Sequence, residues 1–149
     1  MKCHHKIAGI FFVLFAITMT SCENSQSSIP NMAVSLQLNL VGSDLSLNAI
    51  GAYKTYTTVT TATQAIGYGG VLVIHATDDS YYAFDLACPY EANDTIRVQV
   101  QSDITAKCPV CGSTYRILDG SGWRLNGPST QKLKQYHVYP SGNYLYVTN

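Results

Sequence analysis

Apolar and polar residues alternate along Val34-Ser35-Leu36-Gln37-Leu38-Asn39-Leu40, so Val34, Leu36, Leu38 and Leu40 fall on one face of an expected strand. Val71 to Ala76 is expected to be a further strand. It pairs with Tyr81 to Ala87 across Thr77-Asp78-Asp79-Ser80, a run of turn-forming residues. A turn centred on Asp78 and Asp79 sets His75 opposite Tyr82. Ala52 to Thr60 is rich in Tyr, Thr and Val, and Ile96 to Val100 alternates again. Near the C-terminus, Tyr136 to Tyr139 and Tyr144 to Val147 flank Pro140-Ser141-Gly142-Asn143, which predicts a hairpin with His137 opposite Tyr146. No amphipathic helix follows residue 22, and short strands with regular turns imply an all-β antiparallel sandwich or barrel.

The first residues read differently. Lys2 and Lys6 bracket His4 and His5 in a basic start, followed by the apolar run Ile7 to Met19, short for a membrane span. The run ends in Met19-Thr20-Ser21-Cys22, which resembles a bacterial lipobox, with Cys22 the residue to be acylated. Residues 1–21 are therefore expected to be a lipoprotein signal peptide and 22–32 a polar tether, with the β-domain over 33–149. The expected location is the bacterial cell envelope, anchored to a membrane by lipid; multiple acyl chains make such an anchor stable.

Composition narrows the function. Charged residues make up 12% of the chain, against about 25% in a typical soluble domain. Without Lys2 and Lys6, seven basic residues face nine acidic ones, and no basic patch is present to hold nucleic acid. The partners to expect are a membrane and an unknown protein. Seven aspartates and two glutamates are scattered, and no Ser-His-Asp set is brought together, so no catalytic residues are assigned. Trp123, between Gly122 and Arg124, is expected to pack into the core beneath the second of two cysteine loops.

Those loops are Cys88-Pro89-Tyr90 and Cys108-Pro109-Val110-Cys111-Gly112-Ser113-Thr114-Tyr115, separated by the 17 residues Glu91 to Lys107. The pair resembles the Rieske iron–sulfur pattern, C-x-H followed roughly 15–17 residues later by C-x-x-H, whose ligands hold a two-iron, two-sulfur (2Fe-2S) cluster. Gly112-Ser113-x-Tyr115, Asp119-Gly120 and Gly127-Pro128-Ser129 with Leu133 resemble segments that follow in the same family. The resemblance covers about Ala33 to Asn149 and implies a small Rieske-like β-domain with the two loops at its tip. It also implies hydrogen bonds from the Ser113 and Tyr115 hydroxyls to the sulfurs of the site. The two histidine positions hold Tyr90 and Cys111, so a normal Rieske centre is excluded by inventory.

Three readings of the tip stay open. In one, the cofactor is lost and a disulfide braces the loops. Cys88–Cys108 is then the favoured pair, because the resemblance puts both on one iron, and a closed loop of this size stabilises by roughly 3 kcal/mol. In another, Cys88, Cys108 and Cys111 hold a metal, with Tyr90, Glu91 or Asp94 as a fourth, oxygen ligand; zinc or an altered iron–sulfur cluster would suit. Tyr90 serves otherwise as an aromatic plug in the cluster cavity. In the third, Cys108 and Cys111 form a redox-active C-x-x-C pair. The function to expect is a non-catalytic structural or binding module, or an electron carrier.

Overall fold

The computed structural model describes residues 27–149, so the expected signal peptide and Cys22 lie outside the described residues. Eleven strands follow in order: β1 (Val34–Asn39), β2 (Tyr53–Tyr56), β3 (Ala65–Ile66), β4 (Val71–His75), β5 (Tyr81–Asp85), β6 (Gln99–Val100), β7 (Thr105–Lys107), β8 (Thr114–Arg116), β9 (Arg124–Asn126), β10 (Gln135–Ser141) and β11 (Tyr144–Thr148). One short 3-10 turn, Leu45–Asn48, is the only helical element described, and no described helix is long and apolar enough to cross a membrane. Seven strands form an antiparallel, nearly closed barrel in the order β2-β4-β5-β10-β11-β1-β3. The other four form a small sheet, β6-β7-β8-β9.

The hydrophobic pattern explains the layers. β1 alternates as expected, with Val34, Leu36 and Leu38 buried in the barrel beside Leu145 and Val147 of β11. β4 is buried along its whole length because it is a shared wall. Val71 and Val73 face the barrel core, while Leu72 and Ile74 join Phe84, Ile117, Leu133 and the buried cysteines under the small sheet.

Two hairpin registers differ from expectation. His75 pairs with Tyr81 and not Tyr82, because Ala76 and Ser80 close a three-residue loop in which Asp79 takes φ 60°. His137 pairs with Thr148 and not Tyr146, because β10 runs through Pro140 to Ser141 and turns at Gly142 (φ 58°) and Asn143. Other elements are shorter than expected: β2 stops at Tyr56, and of Ile96 to Val100 only Gln99–Val100 is a strand, with Arg97 bridged to Ala87. Trp123 is a further correction. It is 60% exposed rather than core, and the Lys132 ammonium sits 5.9 Å from its ring centre.

Candidate metal centre

The first cysteine loop leaves the end of β5. Asp85, fully buried, fixes that exit: its carboxylate accepts from the N–H groups of Tyr68 (3.0 Å), Gly69 (3.0 Å) and Ala87 (2.7 Å) and from the Tyr136 hydroxyl (2.5 Å). Burial and the bond to Asp85 push the Tyr136 phenol up, so it stays a donor. Cys88 follows directly, donating its N–H to Ile96 (3.1 Å), while its carbonyl accepts from Ala92 (2.9 Å). The second loop caps the β7–β8 hairpin. Cys108 N–H donates to the Ser113 carbonyl (2.9 Å), and the Gly112 N–H to the Cys108 carbonyl (3.1 Å), with Gly112 at φ 75°.

These loops bring the three sulfurs of Cys88, Cys108 and Cys111 to within 4.8 Å of one another. Cys88 and Cys108 are fully buried and Cys111 is half-buried; all three are thiols, and Cys88 Sγ lies 3.7 Å from Cys111 Sγ. The Tyr115 hydroxyl, itself buried, is 3.4 Å from Cys88 Sγ. Cys111 Sγ is 3.2 Å from Ser113 Oγ, and Ser113 Oγ also accepts from Ser129 N–H (3.0 Å). Gly127 lets this happen: a Cβ there would stand 2.4 Å from the Ser113 Cα.

The electrostatics of the thiols diverge. Burial pushes Cys108 up to about 11, although the N–H groups of Cys111 and Val110 point at its sulfur. Burial also opposes the Cys111 thiolate, but hydrogen bonds from the Ser113 hydroxyl and N–H, then from the neighbouring thiols, outweigh it and hold the group below the ordinary thiol value. Burial and the contact with Cys88 push the Tyr115 phenol up, so it remains a donor toward sulfur.

Tyr90 is 55% exposed, so it does not plug the cavity; it stands on the rim of the first loop. Neither histidine joins the tip. His75 lies in β4, its ring stacked on Tyr81 and its Nε2 3.0 Å from Asp79 Oδ1, and His137 is exposed in β10. A Rieske cluster takes two thiolates and two imidazoles. Three sulfurs and no imidazole do not fit it.

No family model matches the sequence, and no curated protein matches it. Among solved structures, the chain is similar to the quaternary ammonium Rieske monooxygenase CntA, with a TM-score of 0.53 over 78% of this chain at 14% identity. The match spans only 31% of that monooxygenase chain. A chain of the reduced oxygenase and oxidized ferredoxin complex of carbazole 1,9a-dioxygenase matches at 17% identity and a TM-score of 0.45, over 66% of this chain and 90% of that one. An NADH-dependent nitrite reductase small subunit from Mycobacterium tuberculosis matches at 11% identity and a TM-score of 0.44, over 80% and 96% of the respective chains. The fold is that of a Rieske domain. What this chain carries at the tip of that fold is a three-cysteine cluster able to hold a metal.

Sequence reasoning missed Asp85 and the N-terminal segment at the tip. The Ser28 hydroxyl donates to the Pro89 carbonyl, its N–H donates to Gln131 (2.8 Å), and Ile29 is buried. A carboxylate ending an apolar strand at Asp85 was the one available signal.

Proposed function

We propose that this chain is a lipid-anchored envelope module in which a single metal ion, zinc by its donor chemistry, replaces the Rieske cluster as the brace of the tip. The carrying observation is the convergence of three sulfurs within 4.8 Å. Zinc–thiolate bonds of about 2.3 Å in a tetrahedron put sulfurs about 3.8 Å apart, against 3.7 Å between Cys88 and Cys111. Hydrogen bonds from the Ser113 hydroxyl and N–H favour thiolate, the form a metal needs, at Cys111, while at Cys108 a bound cation would have to offset the burial that raises the thiol. The ion would tie the first loop to the β7–β8 hairpin. Such a role is structural, and zinc carries no electrons.

Elemental analysis of protein purified under reducing conditions tests this. The expected result is about one zinc per chain, no visible colour, and loss of the metal in Cys88→Ser. About two irons with acid-labile sulfide and visible bands would overturn it in favour of electron transfer. A metal-free protein with Cys88 in a disulfide to Cys108 or Cys111 would overturn it in favour of a covalent brace.

A further inference from the structure

The N-terminal segment enters the fold at the cysteine tip, and this bears on where a membrane would lie. Ser28 is bonded to Pro89, the residue after Cys88, and to Gln131. Ser27, together with Trp123, Gln131 and Lys132, lines a cleft of about 280 Å³. Six peptide units separate Cys22 from Ser28, and whatever conformation they take they span at most about 21 Å. A domain of about 120 residues has a radius of gyration near 13–14 Å, hence a width of about 35 Å. An acylated Cys22 is therefore held closer to the tip than the domain is wide.

The surface around that entry is suited to a lipid interface. Trp123 is 60% exposed, Tyr90 55% and Val110 63%; Trp123 shares a cleft with Ser27, Tyr90 follows Pro89, and Val110 lies between Cys108 and Cys111. Lys132 rides on the Trp123 ring at 5.9 Å, giving an apolar plate with a cationic edge. Tryptophan and tyrosine with lysine beside them are the side chains that settle at headgroup depth. A second exposed apolar group, Val41, Leu45 and Ile50, lies beyond the far end of β1, where Asn39 pairs with Tyr144. It is removed from the start of β1 by the strand's length, about 17 Å.

Resting on the reading that Cys22 is acylated, we propose that the cysteine tip is the membrane-facing end of the domain, with Trp123, Tyr90 and Val110 seated in the lipid headgroup layer and Lys132 at its edge. The metal centre would then sit at the lipid surface.

Trp123 is the sole tryptophan, so it reports on itself. The test uses the full acylated chain, its N-terminal peptide checked by mass, in vesicles of phosphatidylethanolamine and phosphatidylglycerol with or without headgroup-region spin-labelled lipid. The expected result is a shift of Trp123 emission to shorter wavelength and a drop in intensity on the order of twofold with the spin label. A Trp123→Phe/Leu45→Trp variant moves the reporter to the far patch and should show neither. Acylated protein with an unquenched Trp123, or with quenching at position 45 instead, overturns the proposal while the anchor stands. An N-terminal peptide without acyl mass overturns the anchor and the proposal together.

Discussion

Replacing Asp85 with asparagine should damage the tip from below. The carboxylate is fully buried and receives four donors: three N–H groups at 2.7–3.0 Å and the Tyr136 hydroxyl at 2.5 Å. Asparagine keeps one acceptor oxygen and turns a donor toward the remaining two groups. The Tyr136 hydroxyl can rotate to accept, which leaves at least one N–H without a partner. A buried unsatisfied donor costs about 1–3 kcal/mol and a lost bond to a charged acceptor about 1.5–3 kcal/mol, so the net destabilisation should be about 2–4 kcal/mol. For a domain of this size that lowers the melting temperature by roughly 10–20 °C. Tyr136→Phe removes one donor and keeps the carboxylate, and should cost only about 1–2 kcal/mol. Urea denaturation of the three proteins measures this, with metal content read in parallel, since the Ala87 N–H held by Asp85 immediately precedes Cys88. A loss below about 1 kcal/mol for Asp85→Asn would refute the claim that this carboxylate sets the exit of the first loop.

Gly127→Ala should be far worse than Gly112→Ala. Both have positive φ, but a Cβ at Gly127 meets the Ser113 backbone at 2.4 Å while one at Gly112 meets nothing; thermal melts should show about 1–2 kcal/mol for Gly112→Ala and clearly more for Gly127→Ala. Tyr115→Phe, which deletes the hydroxyl 3.4 Å from Cys88 Sγ, should weaken zinc binding by roughly tenfold in a competition titration with little change in fold. In metal-free, reduced protein, alkylation followed by peptide mapping should label Cys111 before Cys108 near pH 8, because the first is held below the ordinary thiol value and the second is raised to about 11. The raised group favours the folded state below the unfolded thiol pKa, so metal-free stability from Cys108 should fall as pH rises from about 9 toward 11.

Much of the barrel was readable from the chain, because β1 is half-buried and alternates while turn-forming residues mark the hairpin of β4 and β5. The small sheet was not. Thr105-Ala106-Lys107 and Arg124-Leu125-Asn126 are too short to show a period, and they are strands only because neighbours pair with them. The cysteines, Ser113 and Tyr115 were visible through their order in two loops. Asp85 was not, since its value lies in donors from residues 68, 69, 87 and 136, which only the fold brings together. Tyr90 and Trp123 were misplaced for one reason: an aromatic was assumed to be inside, and here both are exposed. The two register errors came from turns whose length depends on a single residue at positive φ, Asp79 or Gly142.

β4 has a consequence for how the molecule comes apart. Val71 and Val73 belong to one core, Leu72 and Ile74 to the other, and the four residues are consecutive. Neither core can dissolve without pulling the backbone that lines its neighbour, so the barrel and the tip are one cooperative unit rather than a stable platform with a removable cap. A lesion on the far side of the barrel will therefore reach the cysteines, and a failure to hold them will be felt in the barrel.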